Sequence, residues 1–171
     1  DKHITESAHS TQLADLSKSI FDLMAVDLGL DVKYRSSLVV AAKLAKVGES
    51  LHFYSYHQHS YYLIQSALEY GFTHEEVMLI STLTRYHKRK RLGNTHQKKY
   101  KLLLPKEKDI VFLSGILAMS SALLAHRPRN IDFNITYENR RIKIGGQKHR
   151  MHMAQEKLRS IDLPKEFNLV F

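Results

Sequence analysis

The sequence predicts a mainly α-helical fold, a helical bundle followed by a small α+β segment of hairpin, helix and final strand. Three observations carry this. Apolar residues recur at helical spacing in successive stretches between residues 4 and 126, the pattern of helices that bury one face. The period then shortens to two: Ile131, Phe133, Ile135 and Tyr137 alternate with polar residues, and Ile142 and Ile144 repeat the alternation, as half-buried strands do. Glycine and proline fall between the stretches, at helix-stop and helix-start positions.

Taken in order, residues 4–29 read as a long helix with the stripe Leu13, Leu16, Ile20, Leu23 and Leu28, stopped by Gly29. His9, in its first turns, reads on its own as a surface or packing histidine. Residues 35–48 form a second helix, capped by Ser36 or Ser37 and ended at Gly48. Val39, Val40, Ala42, Leu44 and Val47 make it mostly apolar, and Lys43 and Lys46 share one face. Two short helices follow, 58–69 and 74–86, hinged at Gly71; Thr73 and Glu76 make a capping box for the second. Residues 88–104 read as a basic loop. Pro105 then opens a fifth helix, 106–126, carrying Ile110, Phe112, Leu113, Ile116, Leu117, Met119, Leu123 and Leu124, and Pro128 stops it. Strands at 131–137 and 141–145 are joined by a turn at Glu138-Asn139 and closed by Gly145-Gly146. A short basic helix, 148–160, and a last strand with Phe167, Leu169 and Phe171 complete the chain.

At 171 residues the chain suits one domain with a small appendage, divided as 1–128 and 129–171. Hydrophobic residues, 43% of the total, suffice for a core. No apolar run reaches the ~18 residues of a membrane span and no signal-peptide pattern occurs in these residues, so a soluble protein is expected. Zero cysteines exclude disulfides and thiolate metal sites and fit a cytoplasmic location. The chain opens on Asp1 rather than Met, which is expected of a piece of something longer. The net charge of +9 is polarised: residues 1–84 hold 6 Lys or Arg against 10 Asp or Glu, and residues 85–171 hold 20 against 7. Such a basic half favours polyanions: nucleic acid, polyphosphate or anionic lipid.

The stretch from Tyr54 to Arg91 is the candidate functional region. Tyr54, Tyr56, His57 and His59 open it, and Arg85, Tyr86, His87, Lys88, Arg89, Lys90 and Arg91 close it. A helical hairpin would bring these ends together as a polar pocket with a cationic rim. Tyr61, Leu63, Ile64 and Leu68 are spaced as core residues. The cationic run has a second reading, as a solvated helix end where positive charge favours the negative pole of the macrodipole. The eight Lys and Arg between Arg85 and Lys101, with no acid among them, favour the anion-handling surface. Arg85, His87, Lys88, Arg89, Lys90, Arg91, Lys98, Lys99 and Lys101 are its candidate contacts. No phosphate-binding glycine loop, GxSxG, HExxH or CxxC motif occurs. His57 and His59, two apart on a helix, cannot converge on one metal, and no carboxylate pair for acid–base work stands near the histidines.

Residues 57–71, HQHSYYLIQSALEYG, followed by LTRYHK at 83–88, resemble the C-terminal region of the exopolyphosphatase / guanosine pentaphosphate phosphohydrolase (Ppx/GppA) family. AAKLAKVG at 41–48 stands where the family often has AALLHDIG, a leading helix carries His9, and a long apolar helix follows at 106–126. The resemblance covers about residues 5–128 and, more loosely, the rest. It implies an HD-like helical domain, related in fold to metal-dependent HD phosphohydrolases. It also implies that catalysis, and its Mg, reside in N-terminal actin-like domains of the same chain, while this region binds polyphosphate or guanosine pentaphosphate and contributes to a homodimer.

A working HD centre needs a leading His, a His-Asp doublet and a later Asp. His9 matches the first; Ala45 and Lys46 occupy the doublet; Ser121 falls near the last. Three of the four positions lack a ligating side chain, whereas hard divalent cations require carboxylates and imidazoles. The expectation is a pocket of His9, Lys46, His57 and His59 with no metal, no catalytic residue and no cofactor of its own. Two alternatives remain: a metal-dependent HD phosphohydrolase, against which the vacated ligand positions argue, and a basic nucleic-acid-binding module, for which no reading helix, RNP motif or zinc finger is present.

Overall fold

Helices carry the chain as far as residue 124, and strands enter only after it. The computed structural model describes residues 2–47, 56–68, 70–87, 94–125, 132–146 and 148–171. The elements are α1 (Lys2–Leu28), α2 (Tyr34–Leu44), α3 (Tyr56–Ala67), α4 (His74–Tyr86), α5 (Asn94–Lys99), α6 (Glu107–Leu124), β1 (Phe133–Glu138), β2 (Arg141–Gly146), α7 (Lys148–Arg159) and β3 (Asn168–Val170). This is the mainly helical bundle with a small α+β segment that the periodicity predicts. The expected Gly48 stop, the Pro128 stop and the division at 128 fall on residues outside the described set.

Several ends follow directly from local chemistry. Gly29, at φ +68°, ends α1. Its N–H bonds the Val26 carbonyl at 3.1 Å, and the Leu30 N–H bonds that of Ala25 at 2.9 Å. That pair of bonds is a Schellman cap, and only glycine takes its left-handed position without cost. The capping box of α4 is complete: the Glu76 N–H donates to Thr73 Oγ1 at 3.2 Å, and the Thr73 N–H donates to the Glu76 carboxylate at 2.8 Å.

Other ends differ from the sequence reading. Neither Ser36 nor Ser37 caps α2, which starts at Tyr34. Asp31 accepts from the Lys33 N–H at 2.9 Å, and the turn so formed runs straight into the helix. Ser37 is buried inside it instead. The hairpin turn sits one residue further on than Glu138-Asn139, because Glu138 pairs with Arg141. Asn139 and Arg140 are its central residues, at φ 52° and 58°, the geometry of a two-residue primed turn. Gly145-Gly146 lies within β2 rather than beyond it. A side chain at Gly145 would collide with that of Asn134, and one at Gly146 would lie 2.8 Å from Met151 Sδ. Residues 94–99, expected within a loop, form the helix α5.

α6 is the centre. From Ile110 to Leu124 only Val111, Ser114 and Ser121 escape full burial. α1, α2, α4 and α7 all pack against it. On the α1 side the inward residues are Leu13, Leu16, Ile20, Phe21, Met24 and Leu28. Leu23 was expected among them and is 40% exposed, because a stripe leaving Ile20 at 3.6 residues per turn passes through Met24. The sheet has the order β1-β2-β3, with β1 antiparallel and β3 parallel to β2. Phe133, Ile142 and Ile144 point from it into the same apolar cluster as α6. Phe167 stacks on Phe112 with ring centroids 6.2 Å apart, and Gly115 brings α6 so close to Pro164 that a Cβ there would lie 2.9 Å from the proline ring.

Candidate functional site

The α3–α4 hairpin is antiparallel, and its register is set by side chains. Gln65 Nε2 reaches Met78 Sδ at 3.7 Å near the hinge. Nearer the other end the Arg85 guanidinium lies 4.8 Å from the centre of the Tyr61 ring. His59, two residues before Tyr61, and His87, two after Arg85, therefore stand at the same end of the hairpin, as the sequence requires of a pocket built from both. Ser60 Oγ donates to the Ala45 carbonyl at 3.4 Å, which brings the end of α2 to the start of α3. α1 and α2 are pinned by Arg35, which makes a forked pair of 2.6 Å hydrogen bonds to the Asp22 carboxylate. At about 1.5 Å per residue along each helix, this register puts His9 at the same end as Lys46. His9 and His59 are half-buried, Lys46 is exposed and Ala45 is buried. The His57 side chain and Lys88, Arg89, Lys90 and Arg91 lie outside the described residues.

At this end of the hairpin a second group of side chains converges, and its centre is a residue the sequence did not single out. His96, on α5, is buried. Its Nε2 is 3.0 Å from Thr82 Oγ1 on α4. Its ring lies 5.5 Å from that of Tyr61, 5.3 Å from Tyr86 and 4.9 Å from Tyr100, centre to centre. Burial, reinforced by the charges of Arg85 and Lys99, pushes its pKa down to about 4, so the ring is neutral at neutral pH. α5 has only six residues, too few to hold a helix alone. His96 and Tyr100 are the pins that dock it.

Those pins also fix the cations. Lys98 and Lys99 on α5, and Lys101 just after it, are exposed. Lys99 Nζ lies 5.1 Å from the centre of the Tyr100 ring. Arg85 is half-buried and also lies over Tyr86, at 5.4 Å. His87 is buried, with Nδ1 2.9 Å from the Thr84 carbonyl; a carbonyl can only accept, so Nδ1 carries the proton. Arg85 and His87 thus belong to the interior of the cluster and not to its exposed rim, which among the described residues is Lys98, Lys99 and Lys101.

Hydrogen bonding through the cluster is directional. Gln65 Nε2 donates to the Tyr61 hydroxyl at 3.1 Å. Tyr61 also interacts with Tyr100. Burial, and then the interaction with Tyr100, raise the Tyr61 pKa, whereas the interactions with Tyr61 and then with Lys99 lower that of Tyr100.

The model of Ppx/GppA phosphatase, domain III, matches residues 1–167. The chain belongs to this family. No curated protein matches the chain. Of the residues that the sequence resemblance sets against an HD metal centre, His9 and Ser121 are half-buried, Ala45 is buried and Lys46 is exposed. Among the described residues no group of three or more His, Cys, Asp or Glu is placed to hold a metal ion. Among them, too, no helix is long and apolar enough to cross a membrane.

Proposed function

We propose that this domain III is the substrate-binding and regulatory part of a Ppx/GppA-type phosphohydrolase, and that it holds polyphosphate, or guanosine pentaphosphate, on the basic surface at the open end of the α3–α4 hairpin. Hydrolysis would belong to N-terminal actin-like domains of the same chain, with their Mg; this part would bring no metal, cofactor or catalytic residue, would act in the cytoplasm and would take part in a homodimer. The observation that carries the reading is the cationic face itself. Lys98 and Lys99 on α5, and Lys101 just after it, stand exposed, and no carboxylate is paired with any of them among the described residues. Exposed lysines without a carboxylate partner are available to a ligand that brings its own negative charge, and a chain of phosphates brings it at a spacing that several lysines can engage together.

The test is polyphosphate binding across a salt series. Affinity should fall as salt rises, because each phosphate neutralised releases condensed counterions. Replacing Lys88, Arg89, Lys90, Arg91, Lys98 and Lys101 together with alanine should weaken binding and flatten that dependence. Lys98 and Lys101 are exposed, and surface changes of this kind cost within about 0.5 kcal/mol each, so the fold should persist. Binding by the variant equal to that of the parent at every salt concentration would leave the run as a solvated helix end. Equal competition by duplex DNA would favour the nucleic-acid reading, and stoichiometric metal retained through dialysis would favour the HD phosphohydrolase.

A further inference from the structure

A cavity of about 390 Å³ opens where the starts of α2 and α4 meet the turn that leads into α6. Its volume is that of a small-molecule site. Leu79, Leu103, Leu104 and Pro105 supply its apolar lining, and Leu79 among them is buried. The buried Ser37 of α2 belongs to the lining as well. Leu102 carries the apolar surface out to the solvent, where it is 95% exposed. Three charged side chains complete the lining: Lys33, Glu75 and Glu76. Glu76 is committed to the capping box, where its carboxylate accepts from the Thr73 N–H at 2.8 Å. Glu75 is exposed and is paired with no cation among the described residues. Lys33 Nζ lies 3.4 Å from the Asp31 carboxylate, with 67% and 50% of the two side chains in water. Exposed pairs of this kind are weak, so the ammonium can turn to an anion held in the cavity.

We propose that this cavity takes a free α-amino acid with an apolar side chain, of the type of leucine or phenylalanine. The site goes beyond the polyanion surface and does not depend on it. Opposite charges and an apolar interior in one cavity narrow the class of ligand. A phosphate chain or a nucleotide would meet Glu75 and Glu76 as like charges. A plain hydrocarbon would leave all three charged groups unused. A fatty acid would engage Lys33 alone, and an alkylamine Glu75 alone. An α-amino acid carries both charges on one carbon, with its side chain as a third arm. Its carboxylate would meet Lys33, its ammonium Glu75, and its side chain the leucines and Pro105. Lys33 is also the N-cap residue of α2 and makes no side-chain cap bond, so the positive pole of that helix adds to its pull on a carboxylate. The dimensions agree: treated as a sphere, the cavity is about 9 Å across, which matches two charge-assisted hydrogen bonds of about 2.8 Å on either side of an amino-acid head group. The two charged contacts set the orientation, and burial of the apolar arm supplies a driving force that is not directional.

The test is a titration of the whole isotope-labelled chain with L-leucine, followed by its backbone amide shifts. Leucine should saturate in the millimolar range or below, with the shifts gathered at Lys33–Ser37, Thr73–Leu79 and Leu102–Leu104. Two analogues then read the head group. Leucinamide keeps the ammonium and loses the carboxylate, and N-acetyl-leucine does the reverse. Each should bind about tenfold more weakly than leucine, as loss of a hydrogen bond between charged groups dictates. Glycine, which lacks the apolar arm, should also bind more weakly. Glu75→Gln should weaken leucine by a similar factor and leave N-acetyl-leucine unchanged, whereas Lys33→Gln should weaken leucine and leave leucinamide unchanged. That crossed pattern is the mark of direct contact, since a general disturbance of the fold would weaken all ligands alike. Should either variant melt early, the analogue series on the wild-type chain carries the test. No saturable shifts with leucine or phenylalanine would overturn the proposal. Equal binding of leucine and both analogues would also overturn it, and so would shifts confined to other parts of the fold.

Discussion

Protonation of His96 should be the event that loosens α5 in acid, and its size follows from the surroundings of the ring. His96 is faced by Tyr61 of α3, by Thr82, Arg85 and Tyr86 of α4, and by Lys99 and Tyr100 on its own side. None of these carries a negative charge that would welcome an imidazolium at neutral pH, and two carry positive charge. Burial and those cations lower its pKa from 6.5 to about 4. Above pH 6.5 the ring is neutral in both the folded and the unfolded chain, and the full stability is present. As the pH falls below 6.5 the unfolded chain takes up a proton that the folded chain refuses, so stability declines until about pH 4, where both are protonated. Each unit of difference corresponds to about 1.4 kcal/mol, which sets the loss across the window at no more than about 3 kcal/mol. His96→Phe keeps a ring in the cluster and removes the proton. It leaves Thr82 Oγ1 without its partner, a cost of about 1–3 kcal/mol that does not vary with pH. Urea unfolding of both proteins, followed by far-ultraviolet circular dichroism from pH 7.5 to pH 4, should show the wild-type advantage shrinking by up to about 3 kcal/mol as pH falls. A difference that stays constant across the window would refute the buried, neutral histidine and with it the docking of α5 described above.

Two further outcomes test the ends of elements. Thr73→Ala removes the acceptor for the Glu76 N–H and should lower stability by about 1 kcal/mol, or roughly 2–4 °C in melting temperature for a chain of this size. Thr73→Ser should restore most of it, and an unchanged melt for the alanine variant would mean that the capping box contributes nothing. Arg140→Gly should stabilise the hairpin, because Arg140 sits at φ 58°, a conformation costing a side chain about 1 kcal/mol that glycine adopts freely. The backbone carbonyl of residue 140, which accepts from Asn168 Nδ2, is retained, so a fall in melting temperature would show that the Arg140 side chain does more than tolerate the turn.

What the sequence disclosed depended on whether the deciding force was local. α4 was legible to its ends because Thr73, Glu76 and Gly71 settle the entry by themselves. Gly29 was legible for the same reason. The start of α2 was not, because two serines looked like caps while Asp31, further back, had already turned the chain. Leu23 illustrates a different failure: leucine signals burial by type, yet one residue's rotation about α1 puts Met24 inside and Leu23 at the surface. The hairpin turn slipped by a residue because arginine rarely adopts positive φ, and only cross-strand pairing forces it to. In the site, the meeting of the two hairpin ends was readable from helix lengths alone. The interior positions of Arg85 and His87 were not, since a run of cations reads as uniformly exposed until the partners of each are known. His96 was hidden in a polar stretch too short to show a period. Its one signal was an aromatic, Tyr100, four residues on, the spacing that puts two rings on one face of a helical turn.

The burial of α6 on nearly every side also bears on how the chain can be taken apart. A helix with a solvent face can serve as the outer wall of a smaller protein; one without it belongs jointly to everything that covers it. Phe112 and Gly115 are roofed by Phe167 and Pro164, more than forty residues away in the sequence, while Ile110 and Leu113 share an apolar cluster with residues of α1 and α2. A cut made in the chain beyond α6 would thus not release a trimmed but self-sufficient bundle. It would strip an apolar wall bare, and the price would appear as stickiness and poor yield rather than as a modest drop in melting point. The small α+β segment is, in this sense, the lid on a container whose contents are all in the helix beneath it.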